Sequence, residues 1–350
     1  MGGPGFRYAS AQYGLIQKRR KRCAGLVEEI GALPWTRRQQ SELSETAPVV
    51  VIAEQDRYGI PLRTGLCLDT GLVFLIDRLT AEGYAAFYKE YYRPLLTQFF
   101  DRAFDPQSIT KSGRQYGLDL YDSIAPWLPA TSSDTPTLLD IGGSTGHVAQ
   151  VFAQRSGYHS TVLDPASDEL QVAADKGLEV KEGFLETYDA EGRQFDLVLL
   201  CQTIDHLFDL RGALARIYDL IKPGGFFFAD VVDFDEACFR AASVEGALHL
   251  DHCYYLSQET ALWLFTSMGW EVVQMDVAMR AGHVGYLLRR GDAAHADVQK
   301  PADVLERLRT IQRLKTIQAI AKRRPYGMVM QARKRAYRLK KLLMKTLRRT

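Results

Sequence analysis

The chain has 350 residues, 46% of them hydrophobic and 25% charged, with a net charge of +2, a composition that suits a soluble enzyme with one large domain plus appendages. No apolar run reaches about 18 residues, which excludes a transmembrane helix, and Met1 to Cys23 lacks the apolar stretch of a secretory signal. The five cysteines, Cys23, Cys67, Cys201, Cys238 and Cys253, are scattered and odd in number, as expected of reduced thiols in a cytoplasm.

Residues 1–45 read as a basic N-terminal arm, with Lys18-Arg-Arg-Lys-Arg22 a solvated or disordered charge cluster. Residues 46–110 read as a small cap and a linking helix. In the cap, Val49 to Ala53 and Leu72 to Leu75 are strand-like, with Asp56 to Leu72 including the stretch between them. Tyr84, Phe87, Tyr88 and Tyr91 fall at helical spacing and read as a buried helix face, the alternative being that Tyr92 and Arg93 cover a ligand. Lys111-Ser-Gly-Arg-Gln-Tyr116 is placed just before the helix that leads into the next domain, 111–292.

That domain opens on TLLDIGGSTGHVAQVFAQRSGYHSTVLDPASDEL, from Thr137 to Leu170. Thr137 to Leu139 predicts a buried parallel strand. Gly142, Gly143 and Gly146 permit a tight turn where side chains would collide with a ligand, and the following helix starts with its amides facing that ligand. Asp164 ends the second strand 22 residues after Gly142, where a carboxylate can accept hydrogen bonds from the hydroxyls of an adenosine ribose. A dinucleotide fingerprint G-x-G-x-x-G counted from Gly142 fails, because Ser144 and His147 stand where its other glycines belong. The run Asp140, Gly142, Ser144, Gly146 instead resembles motif I, D-x-G-x-G-x-G, of the class I S-adenosylmethionine (SAM) methyltransferases, with serine at the middle glycine. The resemblance implies an α/β fold: a doubly wound, Rossmann-like, seven-stranded and mostly parallel sheet ending in an antiparallel hairpin.

Later segments arrive in the order this implies. Gly177 to Gly183 predicts a third strand, and Phe195 to Leu200 a fourth. Leu214, Ile217, Tyr218 and Ile221 mark a helix that Lys222-Pro-Gly-Gly225 ends before the strand Phe226 to Val232. Trp270 to Val277 and His283 to Leu288 read as the closing hairpin, joined through Met279-Arg-Ala-Gly282. The resemblance implies a SAM site built from Asp140, Gly142, Gly143, Ser144 and Gly146, with Asp164 and Pro165 at the ribose and Cys201 and Gln202 facing the methyl group. Phe184 and Leu185 either sandwich the adenine or pack in the core, and Arg114 is the candidate partner of the SAM carboxylate. A hydroxyl acceptor needs a base at the carboxyl ends of the strands. The candidates by position are His206 and Asp205 after the fourth strand and His252 after the fifth, each histidine having a structural alternative.

The cap segment resembles the small zinc ribbon found ahead of the core in some bacterial methyltransferases of sugars and polysaccharides. Only Cys67 matches its cysteine pattern, Thr70 holds the place of another, and no C-x-x-C occurs, so no metal is expected. Residues 293–350 read as a basic helical tail. From Pro301 to Thr350 there are 16 Lys or Arg against two acids, a local charge of +14 on a body of −12. Val329, Ala332, Ala336, Leu339, Leu343 and Leu347 draw one apolar stripe, so 326–349 suits an anionic membrane surface. Docking on the acidic body is the alternative, and nucleic acid the least favoured partner, since no recognition module is present. Deleting Tyr326 to Thr350 is expected to abolish binding to anionic liposomes and to spare SAM binding; equal liposome binding by the truncated protein removes the membrane reading. These features together point to a cytoplasmic SAM-dependent methyltransferase, peripheral at the inner membrane face if the tail binds there. Its expected acceptor is a sugar or phosphate of a surface polysaccharide or lipid-linked glycan. The alternatives are a small-molecule or lipid methyltransferase and a non-catalytic subunit that recruits a partner.

Overall fold

The computed structural model describes residues 4–103, 106–129, 135–275, 282–291 and 298–323. Helix α1 (Pro4–Gly31) leads into strands β1 (Trp35–Arg37), β2 (Val49–Gln55), β3 (Pro61–Cys67), β4 (Val73–Leu75) and β5 (Asp77–Leu79). Helices α2 (Ala81–Ala86), α3 (Tyr92–Phe100) and α4 (Pro106–Ile124) follow, with a π-helical turn over Phe87–Tyr91. The alternating part then runs β6 (Thr137–Ile141), α5 (His147–Ser156), β7 (His159–Asp164), α6 (Ser167–Ala174), β8 (Glu179–Glu182) and β9 (Phe195–Leu200). It continues through α7 (Leu210–Leu220), β10 (Ile221–Val232), α8 (Phe234–Ala241) and α9 (Val244–Ala247). The described chain closes with β11 (Tyr254–Tyr255), α10 (Gln258–Ser267), β12 (Trp270–Met275), β13 (His283–Arg290) and α11 (Val304–Arg323).

The central sheet has seven strands in the order β12-β13-β10-β9-β6-β7-β8, with β8, β7, β6, β9 and β10 parallel and β13 antiparallel to both its neighbours. This is the doubly wound sheet the sequence implies. Its central strands β6 and β9 and the Phe226–Val232 part of β10 are largely apolar because both faces are covered there. Leu138, Leu197, Leu199, Phe226 and Phe228 pack on one face with α4 and α5, and their neighbours Leu139, Val198, Leu200 and Phe227 pack on the other. Lys222-Pro-Gly-Gly225 falls within β10, where the pairing shifts register between Ile221 and Phe226. It is therefore a bulge in the strand, where the sequence predicted a turn ahead of it. The connection 276–281 of the closing hairpin lies outside the described residues.

The cap has no core of its own. Its sheet has the order β11-β4-β3-β2, so Tyr254 and Tyr255, more than 170 residues downstream, pair with Phe74 and Val73. Cys67, Leu72, Phe74 and Leu75 share one buried cluster with the second face of the central sheet. Cys67 is fully buried as a free thiol, and Thr70 is buried beside it in sequence.

The basic front is not a solvated arm. Lys18 to Arg22 lies on α1, whose Arg20 reaches inward: its Nε donates to the Arg57 carbonyl at 3.2 Å, and its guanidinium pairs with Glu245 at 3.4 Å. Helix α11 docks as well, with Val304 and Ile311 buried against Phe234, Val244 and Tyr255. Arg307, its side chain 1% exposed, joins Asp235 (3.1 Å), Asp303 (2.6 Å) and the Gly71 carbonyl (3.2 Å). The first part of the 293–350 segment thus covers the body, while the basic stripe 326–349 lies outside the described residues. Among the described residues, no helix is long and apolar enough to cross a membrane.

Candidate cofactor and acceptor site

Strand order reverses between β6, the first strand of the alternating part, and β9, the fourth; ligands of open α/β sheets bind at the carboxyl ends on either side of such a point. The turn 142–146 and the segment 201–207 meet there. Gly142 has φ +68°, and a Cβ on it would lie 2.7 Å from Thr203 Oγ1. Gly146 has φ +69°, and its Cβ would lie 2.5 Å from Leu178. Neither position admits a side chain without movement, so glycine lets the turn pack directly against Thr203 on one side and Leu178 on the other.

Asp140 is fully buried under this turn, and neither carboxylate oxygen has a hydrogen-bond partner among the described residues. Burial raises its pKa to about 7, with the Ala149 amide opposing and the Asp164 charge adding to the rise. Asp164 is 7% exposed. Its Oδ2 accepts from the Ser144 amide at 2.9 Å and its Oδ1 from the Ala166 amide at 2.9 Å. Each oxygen spends one lone pair on the loop and keeps capacity for a ribose hydroxyl. The tightly packed glycine turn and the half-spent Asp164 fit an adenosine cofactor of the SAM type.

Ser144, at the missing glycine, adopts φ +51°, and its hydroxyl donates to Glu169 of α6. Glu169 in turn pairs with Arg93, whose charge opposes the burial that raises the Asp164 pKa. Arg93, the alternative cover for a ligand, acts electrostatically on Asp164. Arg114 is exposed and sits within α4, where the sequence placed it ahead of that helix. Its charge reaches His147 at the start of α5, and burial, Lys176 and Arg114 together lower the His147 pKa to about 4. Lys176 Nζ lies 3.1 Å from His147 Nδ1. This end of the turn is positive, as the carboxylate of SAM requires. Phe184 is 46% exposed and Leu185 is buried, so only Phe184 offers a free ring face. Pro165 follows Asp164 at the end of β7. Tyr116 was not among the expected residues; its hydroxyl donates to Asp230 Oδ2 at 2.9 Å, and the Gln202 amide donates to the other oxygen, Oδ1. Tyr116 also interacts with the Cys201 thiol, and this network fixes the backbone of 201–202, where Gln202 has φ +53°.

Beyond Thr203, a short 3₁₀ helix, Ile204–His206, carries Asp205 and His206. The Asp205 carbonyl accepts from the Cys253 amide at 2.7 Å, which draws the 249–253 segment alongside. All three proposed catalytic residues therefore converge. The rings of His206 and His252 are 4.7 Å apart, and those of His249 and His252 are 4.2 Å apart. His252 Nδ1 lies 2.7 Å from Asp205 Oδ2, and its Nε2 lies 3.7 Å from Asp251 Oδ2. The Tyr88 hydroxyl meets His206 Nδ1 at 2.9 Å, so the aromatic face of 84–91 reaches the site instead of serving the core alone. Burial opposes ionisation of Asp205, yet the charge of His252 holds its pKa below the usual carboxylate range. Burial lowers the His252 pKa, and the charge of Asp205 outweighs it, giving a net rise. Burial lowers His206 and, with Arg57 and its histidine neighbours, pushes His249 well down. Asp251 and His249 are not among the sequence candidates; the crowding of His249-Leu-Asp-His252 is the signal that points to them.

Residues 84–275 match the family model described as a methyltransferase domain. Over 114 residues the chain is 31% identical to the ubiquinone biosynthesis O-methyltransferase of Methylobacterium sp. (strain 4-46), covering 31% of this chain and 45% of that protein. Over 105 residues it is 35% identical to the ubiquinone/menaquinone biosynthesis C-methyltransferase of Rhodopseudomonas palustris, covering 27% and 42%. The chain thus spans less than half the length of these relatives. Among solved structures it is similar to the SAM-bound amino pentose methyltransferase of Micromonospora echinaspora, at 19% identity and a TM-score of 0.39, over 53% of this chain and 97% of that one.

Proposed function

The chain belongs to the methyltransferase-domain family; from that premise we propose that it is a SAM-dependent methyltransferase acting on a hydroxyl oxygen of a small-molecule acceptor held against Asp205, His206 and His252. The observation that carries the reading is the convergence of these three side chains one 3₁₀ turn from Thr203, the residue that abuts the glycine turn at Gly142. When bound, SAM supplies a methyl group made electrophilic by its sulfonium.

The remaining work falls to the chain. Gly142 to Gly146 leave room for the cofactor, Asp164 fixes its ribose, and Lys176 with Arg114 makes the turn favourable to a carboxylate. Asp205, His206 and His252 orient the acceptor hydroxyl and take up its proton, which a tertiary-amine acceptor would not need. Tyr84 packs beneath Tyr88, and Tyr88 and Tyr92 shield the cluster from water.

A sugar hydroxyl, as in the glycan reading of the sequence, and a phenolic hydroxyl present the same group to this cluster. The test is transfer of label from SAM to two parallel pools, one of phenolic and one of glycan acceptors, with the product located by mass spectrometry. A methyl ether in either pool is the expected result, and the pool that reacts names the acceptor class. A carbon- or nitrogen-methylated product overturns the reading.

A further inference from the structure

We infer that Asp205, His206 and His252 bind a divalent transition-metal ion, with Asp251 and His249 behind His252 as its outer partners. The inference deepens the proposed function and rests on it for what the ion does; the site itself stands on the cluster alone.

Ligand atoms of Asp205, His206 and His252 all lie within 4.8 Å of one another, and so do those of His249, Asp251 and His252. The two groups share His252, whose Nδ1 faces Asp205 at 2.7 Å and whose Nε2 faces Asp251 at 3.7 Å. A ring with one nitrogen in the ligand set and a carboxylate behind the other is the usual arrangement of a metal-bound imidazole. Tyr88 holds the His206 ring from a second side.

The hydrogen bonding inside the cluster does not close. Asp205 Oδ1, Asp251 Oδ1, His249 Nδ1 and His252 Nδ1 are all buried without a hydrogen-bond partner among the described residues, the close approach of His252 to Asp205 lacking the alignment of a hydrogen bond. Asp205 and His252 are 6% and 7% exposed, so water does not compensate them. A single cation between them would satisfy nitrogen and oxygen atoms together. Two imidazoles and one carboxylate favour zinc or cobalt over magnesium or calcium, which prefer all-oxygen shells. Positioned there, the ion would hold the acceptor oxygen next to the glycine turn and lower its pKa, so that its proton is lost to solvent and the ligating side chains orient the oxygen instead of serving as its base.

None of the five residues is a cysteine, and the site is distinct from the zinc-ribbon pattern that the cap lacks. The test uses the full-length protein stripped with a chelator, titrated with Co²⁺ by visible absorption and with Zn²⁺ by calorimetry, with SAM binding measured in parallel. The expected result is one ion per chain, cobalt bands without thiolate charge transfer, displacement by Zn²⁺, and binding weakened roughly 10- to 100-fold in Asp205→Asn and His252→Ala. Absence of Co²⁺ and Zn²⁺ binding by the unmodified protein overturns the inference. Thiolate bands overturn it too, as does affinity unchanged in both variants. A chain that binds the ion but not SAM keeps this site and sinks the methyl-transfer reading; one that binds SAM but no ion does the reverse.

Discussion

Asp205→Ala is expected to lower methyl transfer by about 10²- to 10⁴-fold while SAM affinity stays within about threefold, because the carboxylate serves the acceptor side of the crevice and not the cofactor turn. Asp205 ties the two segments of the cluster together: it faces His252 at 2.7 Å through its side chain and fixes Cys253 through its carbonyl. Its removal leaves the charge of His252 without its compensating partner in a buried setting. Asp205→Asn keeps the shape and the backbone contact and removes only the charge, so it separates loss of chemistry from loss of fold. Turnover with labelled SAM and calorimetric SAM binding on both variants check the expectation. Full turnover in both would remove Asp205 from the acceptor machinery; equal loss of SAM affinity would move it to the cofactor side.

Asp164→Ala should show the opposite pattern, with SAM affinity falling by about 100-fold or more. Two hydrogen bonds donated by ribose hydroxyls to a carboxylate are together worth about 3 kcal/mol, at a tenfold change per 1.4 kcal/mol. The substitution also strips the Ser144 and Ala166 amides of the acceptors they now use at 2.9 Å, so the turn that cradles the cofactor loosens with it. Asp164→Asn restores one acceptor oxygen and should recover part of the loss. Calorimetry with SAM and with S-adenosylhomocysteine measures both, and an unchanged affinity for either ligand would show that the ribose is held elsewhere.

The geometry of the turn proposed for the cofactor was legible because it is local. Asp140, Gly142, Ser144, Gly146 and Asp164 lie on one β-turn-α-β unit whose geometry is set by glycine φ angles and by strands of fixed length, so their spacing in the chain is their spacing in space. The acceptor half was legible only by position. His206 and His252 were named because they follow strands, while the contact between them depends on a backbone bond from Cys253 to Asp205 across nearly fifty residues. Lys18 to Arg22 misled for a related reason: a run of charge is ordinarily solvated, and only the packed helix shows Arg20 turned toward Arg57 and Glu245.

By itself, then, the amino-acid sequence determined the seven-stranded sheet and the cofactor turn, since hydrophobic period, glycine placement and one acid act over a few residues at a time. Tertiary structure alone decided three things: that β11 completes the cap sheet, that α11 is fastened through Arg307, and that three histidines and two aspartates meet beside the turn. Each of these joins segments far apart in the chain, and what joins them is burial shared between surfaces that no local pattern describes.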